Sequence, residues 1–189
     1  AALTFAQMLR ARGVVGKFVE CFGDGVATLS ATQRACIANM TPEYGCTCTL
    51  FPVDDRTLEY LLLTGRDKEQ VALVEAYAKA QGMWNDGASR VYSEVLELNL
   101  SDVECSLAGP SRPHDRFARS DARSRFNAIC ADRNLDMEKR VAVNFMGSEY
   151  ELTHGAIAIA AVTSCTTATD PAMMLACGLL AKHARERGL

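Results

Sequence analysis

The sequence contains no apolar run that approaches the roughly 18 residues of a membrane-spanning helix. Its first residues also lack the basic start and apolar core of a signal peptide, and the chain shows no internal repeat or low-complexity tract. We therefore expect a chain that folds without a membrane, with the cytoplasm as its compartment. The chain does not begin with Met and opens within a helical pattern, so we interpret it as an internal fragment.

Neither sign of charge is in large excess, because 20 Lys and Arg residues face 23 Asp and Glu residues, which leaves a net charge of −3. A protein that binds nucleic acid through the phosphate groups usually has a broad basic surface. This balance disfavours such a function, and the arginines after residue 111 form the one candidate patch. A length of 189 residues with 49% hydrophobic residues suffices for one good core or two small ones.

A Cys-x-x-Cys pair is absent, which disfavours a zinc site built wholly within this chain. The eight cysteines are irregularly spaced, and without an export signal they favour reduced thiols over a disulfide framework. Seven of them lie mostly among apolar neighbours, where a free cysteine behaves as a small hydrophobe. Cys165 differs, because it is surrounded by hydroxyl residues in the run Thr163-Ser-Cys-Thr-Thr167.

The stretch around Cys165 has the pattern of a strand, a polar turn and a helix. Residues 156–162 are all apolar and small or β-branched, which predicts a strand buried on both faces, as in parallel sheets. Asp170 then has the features of an N-cap and Pro171 those of a first helical residue. Open α/β sheets bind ligands at the carboxyl ends of their strands. We therefore expect chemistry at Cys165.

A second stretch places a carboxylate, Glu43, after a proline and before Gly45, between a helix and a short strand. Taken alone, this pattern is most simply a turn carboxylate in solvent, since Glu is usually exposed. The alternative is a carboxylate held in a site. The residues by themselves leave both interpretations open.

Other patterns predict packing elements and boundaries. Capping boxes begin helices after Ser30 and Asp67, strict alternation predicts a half-buried strand over residues 95–100, and residues 141–152 read as a hairpin. A break at residues 109–113 precedes a charged, apolar-poor segment. We predict one domain over residues 1–110, a connector over 111–140 and the start of a second domain over 141–189.

Both informative stretches resemble the aconitase family. The first match is Thr163-Ser-Cys-Thr-Thr-Ala-Thr-Asp-Pro171, continued by Gly178-Leu-Leu-Ala-Lys182, and the second is Asn39-Met-Thr-Pro-Glu-Tyr-Gly45 with Phe51-Pro-Val-Asp54. The likeness spans nearly the whole chain, although Thr167 stands where the family usually has Asn. It implies an α/β fold with an aconitase-like three-layer αβα arrangement, of which this chain holds one complete domain and the start of a cluster-binding one.

The resemblance also implies roles for three residues. Cys165 would be one of three cysteine ligands of a 4Fe-4S cluster, Glu43 would be catalytic beside the cluster, and Asn39 would bind substrate. The other two ligands, together with a serine base and further His and Asp residues, belong to other parts of the family sequence. Because one thiolate cannot retain a cluster, we expect the isolated 189-residue chain to bind none stably and to be inactive.

The implied function is that of an iron-sulfur hydro-lyase, aconitate hydratase, which interconverts citrate and isocitrate through cis-aconitate. An alternative within the family is 2-methylisocitrate dehydratase. Alternatives of another class are an RNA-binding iron-regulatory protein and a non-enzymatic binding module, since fold alone does not fix function. The expected partners are a small tricarboxylate and the remaining aconitase domains of the parent protein, with no membrane.

Overall fold

The computed structural model describes residues 1–87, 90–161 and 168–189. These residues form two compact units, one from 1–104, 108–116 and the described part of 164–189, and the other from 105–107 and the described part of 117–163. Eight α-helices and six β-strands lie within the described ranges, which confirms the predicted mixture of helix and strand. The domain boundaries inferred from the sequence remain a prediction.

The elements follow one another in an irregular alternation, and none of the helices in the described ranges is long and apolar enough to cross a membrane. In chain order they are α1 (Ala2–Arg12), β1 (Phe18–Glu20), α2 (Asp24–Thr28), α3 (Ala31–Asn39), α4 (Thr41–Tyr44), β2 (Cys48–Leu50), α5 (Asp55–Leu63), α6 (Lys68–Ala80), β3 (Ser106–Ala108), β4 (Arg116–Ala118), α7 (Ala122–Asp132), β5 (Arg140–Phe145), β6 (Ser148–Thr153) and α8 (Pro171–Glu186).

The core of the first unit forms where α1 packs against α3 and α4. Next to these helices, β1 and β2 pair in parallel, with α2, α3 and α4 making the crossover that a parallel pair requires. The ring of Phe5 meets Tyr44 edge-on, with 5.7 Å between the ring centroids. The buried residues of this cluster are Ala6, Leu9, Val14, Tyr44 and Cys46.

Side-chain caps fix where the helices begin, as the sequence predicts. Ser30 accepts a hydrogen bond from the backbone N–H of Gln33, and the Gln33 side chain accepts one from the Ser30 N–H, which completes the capping box. Asp67 caps α6 through the N–H of Gln70 at 2.7 Å. The N-cap of α8 is Asp170, followed by a proline in the first turn.

A buried ion pair joins α3 to the start of α5. The guanidinium of Arg34 donates in bidentate fashion to the two carboxylate oxygens of Asp54, at 2.9 and 2.7 Å. Its remaining donors bind the carbonyl oxygens of Leu29, Pro52 and Val26, so all five N–H groups have acceptors. Asp54 also accepts from the N–H of Arg56 and thereby caps α5. The carboxylate of Asp54 therefore both caps α5 and compensates the buried charge of Arg34.

The second unit contains the hairpin predicted from the sequence. Strands β5 and β6 pair antiparallel, from Arg140 opposite Thr153 to Phe145 opposite Ser148. Helix α7 lies within the segment that the sequence suggested as a charged connector. The Gly155 Cα faces the Phe126 ring, because a Cβ added there would lie 3.2 Å from the ring.

Two predicted strands are absent from the structure. Residues 156–161 form no strand, and Ile157 and Ile159 expose 84% and 86% of their surface, so the prediction of a buried strand is wrong for these residues; residue 162 lies outside the described range. A strand buried on both faces needs neighbouring strands, and none of the described residues pairs with this segment. Residues 95–99 also lack strand pairing, although Leu98 and Leu100 are half-buried and Asn99 between them is exposed.

We expect Asp54→Ala to lower the free energy of unfolding by about 3–5 kcal/mol, because it leaves the Arg34 charge buried and unpaired and removes the cap of α5. Urea unfolding followed by circular dichroism measures this loss. Glu59→Ala serves as the control, since it breaks only the exposed pair with Arg56 and should cost less than about 1 kcal/mol. Equal losses in the two variants would contradict the structural role of the buried pair.

Candidate active site

Asn39 and Glu43 lie on one sharp corner of the backbone. Asn39 is the last residue of α3, Met40 makes the turn, and Glu43 is the third residue of α4. The carbonyl oxygen of Met40 accepts from the N–H groups of Glu43 and Tyr44, at 3.0 and 3.3 Å. Gly45 ends α4 at a φ of 83°, a left-handed conformation that glycine adopts without steric cost. We call residues 37–45 the α3–α4 corner.

The carboxylate of Glu43 is the unusual group at this corner. Its Oε2 atom is buried and has no hydrogen-bond partner among the described residues. Buried polar atoms are nearly always paired, since an unpaired one costs roughly 1–3 kcal/mol. The carboxylate is therefore not the solvent-exposed turn residue of the simpler interpretation. One of its two oxygens is out of contact with solvent and lacks a partner among the described residues.

Asn39 contributes an exposed amide beside this carboxylate in the chain. An amide can both donate and accept hydrogen bonds, so it suits the recognition of carboxylate and hydroxyl groups. The position at the end of α3 follows from the local sequence, because Pro42 favours the first turn of a new helix and the chain bends before it. The structure thus places two of the three predicted site residues on the same corner.

Three hydroxyl groups, two from the corner itself and one from β2, hydrogen-bond to one another, and the sequence did not predict this cluster. Tyr44 is 1% exposed, and its hydroxyl lies 2.6 Å from Thr49 Oγ1 and 3.3 Å from Thr41 Oγ1. Thr41 donates to the carbonyl oxygen of Ala38 at 2.5 Å, and the Tyr44 hydroxyl donates to that of Ile37 at 3.2 Å. Burial raises the pKa of Tyr44 above its usual value, so the phenol keeps the proton it donates. We call Thr41, Tyr44 and Thr49 the hydroxyl cluster.

The hydroxyl cluster left only a weak signal in the sequence. Tyr44 was part of the motif, but a tyrosine beside a glycine reads as an ordinary packing residue. Thr49 lies on β2, eight positions after Thr41, and only the tertiary fold brings the two hydroxyls to 2.9 Å. Threonine is common in strands because it is β-branched, so its presence on β2 did not indicate that its hydroxyl forms hydrogen bonds.

The third predicted site residue, Cys165, lies outside the described residues. Within the described ranges, no three or more His, Cys, Asp or Glu side chains are grouped so that they could hold a metal ion. The described residues therefore do not form a cluster site by themselves. At the α3–α4 corner, the unpaired oxygen of Glu43 is the unsatisfied polar atom that the structure shows.

A cleft of about 810 Å³ lies in the first unit, and Ile37 of the corner lines it, whereas Asn39 and Glu43 do not. Its floor is apolar, and residues 92–100 form one wall. That wall is fixed by ion pairs from Arg12 and Lys17 to Glu94 and by the stacked rings of Phe22 and Tyr92. Because Asn39 and Glu43 lie outside this cleft, the candidate active site is the α3–α4 corner.

Comparison with known proteins gives one consistent result. The family model described as "Aconitase family (aconitate hydratase)" matches residues 1–189. The chain is 51% identical over 191 residues to aconitate hydratase A of Escherichia coli, covering 99% of this chain and 21% of that protein. It is 52% identical over 192 residues to the Salmonella typhimurium protein of the same name, with the same coverage, and 51% identical over 199 residues to that of Thermus thermophilus, covering 99% and 22%. The chain thus spans about a fifth of the length of these curated relatives.

The described cysteines are free thiols, as predicted, and their reactivity should follow their burial. Burial raises the pKa of the Cys21 thiol to about 12, so almost none of it is thiolate at pH 8. We expect iodoacetamide to alkylate Cys21 roughly 100- to 1,000-fold more slowly in the native protein than in urea, with the difference shrinking as pH approaches 12. Peptide mass spectrometry measures both rates, and equal rates at pH 8 would contradict the buried, neutral thiol.

Proposed function

Because the chain belongs to the aconitase family, we propose that the protein containing it is an iron-sulfur hydro-lyase that interconverts citrate and isocitrate through cis-aconitate. The α3–α4 corner would provide part of its active site. The observation that carries this proposal is the buried, unpaired Oε2 of Glu43, four residues after an exposed amide. The named function of the relatives and their identity of about 50% support it.

This reaction removes a weakly acidic proton from the carbon next to a carboxylate and expels a hydroxyl group from the neighbouring carbon. A 4Fe-4S cluster held by three cysteines, of which Cys165 would be one, supplies Lewis-acid assistance to the leaving oxygen when it is bound. The residues of this chain would orient the substrate and move a proton beside that oxygen.

Glu43 is proposed as the catalytic residue of the corner. Its free Oε2 would exchange a proton with the substrate hydroxyl, which must leave as water because hydroxide is a poor leaving group. Asn39 would bind a carboxylate or hydroxyl of the tricarboxylate through its exposed amide. Holding both groups on one short corner restricts their relative position, and this restriction accounts for a large part of enzymatic rate enhancement.

The finer architecture belongs to the same proposal. We propose a three-layer αβα arrangement for the parent protein, with residues 1–110 forming one domain, 111–140 a connector and 141–189 the start of the cluster-binding domain. A cytoplasmic location is supported by the free thiols of the described cysteines, since reduced cysteine is typical of that compartment. The isolated chain is proposed to be inactive, because it would supply only one cluster ligand.

The substrate is tested with the complete, cluster-loaded protein. Isocitrate and 2-methylisocitrate are offered separately, and formation of the unsaturated product is followed by its ultraviolet absorbance. We expect kcat/KM to favour isocitrate. A preference for 2-methylisocitrate would replace the citrate assignment with the alternative dehydratase, and turnover of neither would remove the proposed function.

We expect Glu43→Gln in the complete protein to keep the cluster and to lower kcat by roughly 10²–10⁴-fold, since glutamine occupies the same space but transfers no proton. Visible absorbance reports the cluster, and steady-state kinetics report the rate. Glu69→Gln is the matched control, because Glu69 lies exposed in the first turn of α6. An unchanged rate in the Glu43 variant would show that this carboxylate has no catalytic role.

We expect Cys165→Ser to abolish both the cluster and the activity, because serine is a poor ligand for iron in such clusters. The control is Cys48→Ser, a half-buried thiol on β2 that should affect stability at most. Iron and acid-labile sulfide content provide a readout that does not depend on turnover. A Cys165→Ser protein with a full complement of iron would refute the ligand assignment.

A further inference from the structure

The hydroxyl cluster adds side-chain donors to the carbonyl oxygens of Ile37 and Ala38 at the end of α3, which also accept from the N–H of Met40. Thr41 reaches back to Ala38 at 2.5 Å, and Tyr44 reaches back to Ile37 at 3.2 Å. Both donors lie on α4, so these bonds tie the start of the short helix to the end of the preceding one. Asn39 lies between the two acceptors and the two donors in the chain.

A consistent assignment uses each hydroxyl proton once. Thr41 donates to the carbonyl oxygen of Ala38 or to Thr49 Oγ1, at 2.5 and 2.9 Å. With Thr49 as the donor to the Tyr44 hydroxyl at 2.6 Å, Tyr44 donates onward to the carbonyl oxygen of Ile37. The chain of bonds therefore runs from β2 through α4 to the end of α3. Thr49 is itself fixed, because it is buried and pairs with Val19 in the parallel strands.

The surroundings give the cluster little freedom to rearrange. The ring of Tyr44 is buried in the core and packs edge-on against Phe5 of α1. Cys46 lies 3.4 Å from Thr49 Oγ1 and hydrogen-bonds the carbonyl oxygen of Cys48 at 3.3 Å. An isolated helix of four residues would not be stable, since helix nucleation is costly. The geometry of α4, and with it the position of Glu43, must come from these tertiary contacts.

We propose that Thr41, Tyr44 and Thr49 are positioning residues that fix the α3–α4 corner and thereby hold Asn39 and Glu43 in their working geometry. None of the three touches substrate in this proposal. The inference rests on the proposed function, because it assigns the cluster a catalytic consequence through Glu43. It adds a specific cause for the orientation of that carboxylate, namely a buried hydrogen-bonded chain anchored on β2.

The test uses Tyr44→Phe in the complete, cluster-loaded protein, a change that removes one hydroxyl and keeps the ring against Phe5. We expect kcat to fall roughly 10-fold, because a small displacement of a catalytic group has a large effect on rate. In the Glu43→Gln background the same change should alter kcat by less than twofold, since the group being positioned is already lost. Tyr77→Phe on the exposed face of α6 is the matched control.

Two substitutions of Thr49 distinguish a hydrogen-bonding role of its hydroxyl from a packing role of its side chain. Thr49→Val keeps the shape of the side chain but removes its hydroxyl, and it should lower kcat as Tyr44→Phe does. Thr49→Ser restores the hydroxyl with a smaller side chain and should recover most of the rate. If Thr49→Ser is as slow as Thr49→Val, or if Tyr44→Phe lowers kcat equally with and without Glu43, the positioning role is wrong.

Hydrogen exchange gives a readout that is independent of catalysis. The amides of Glu43, Tyr44 and Gly45 bond to the carbonyl oxygens of Met40 and Thr41, and opening of the corner exposes them. We expect Tyr44→Phe to speed their exchange roughly 5- to 10-fold, while amides in the middle of α6 stay unchanged. Unchanged exchange at the corner would overturn the proposal even if the rate fell. If Glu43→Gln leaves the rate intact, the proposed role of Glu43 fails, and exchange alone then decides whether the cluster fixes the corner.

Discussion

The buried ion pair between Arg34 and Asp54 is the constraint on which the first unit depends. Its two charges lie out of water, at 4% and 8% exposure, and are compensated by each other and by three carbonyl oxygens. Because a buried charge that loses its partner is very costly, α3, the chain before α5 and the α2–α3 turn are tied to one geometry. The end of α3, which carries Asn39, is placed by this pair.

At the candidate active site, hydrogen bonds between neutral groups add to the constraint that the ion pair imposes on α3. The ion pair fixes α3, and the hydroxyl cluster continues from the end of α3 through Tyr44 to β2. The ion pair holds α3 before the corner and the hydroxyl cluster holds α4 within it, while one oxygen of Glu43 remains unpaired. A stable protein thereby accommodates an unfavourable buried atom, as functional sites commonly do.

The sequence predicted structure correctly where the stabilising interactions join residues that are close in the chain. The capping box at Ser30 and the N-caps at Asp67 and Asp170 appear in the structure, because a side chain that satisfies a helix N–H acts within three residues. The hairpin of β5 and β6 was likewise predictable from its turn. By contrast, residues 95–100 and the described residues 156–161 of the strand predicted over 156–162 form no strand, since a strand requires partners from other parts of the chain.

The sequence by itself determined the family, the starts of α3, α6 and α8, and the stretch that carries Asn39 and Glu43, because motifs and caps are formed by neighbouring residues. Only the tertiary structure decided that one oxygen of Glu43 is buried and unpaired, that Arg34 uses all five donors, and that Thr49 supports the corner from another element. Burial and hydrogen bonding depend on which residues, distant in sequence, pack against each other, and these contacts form only when the chain folds.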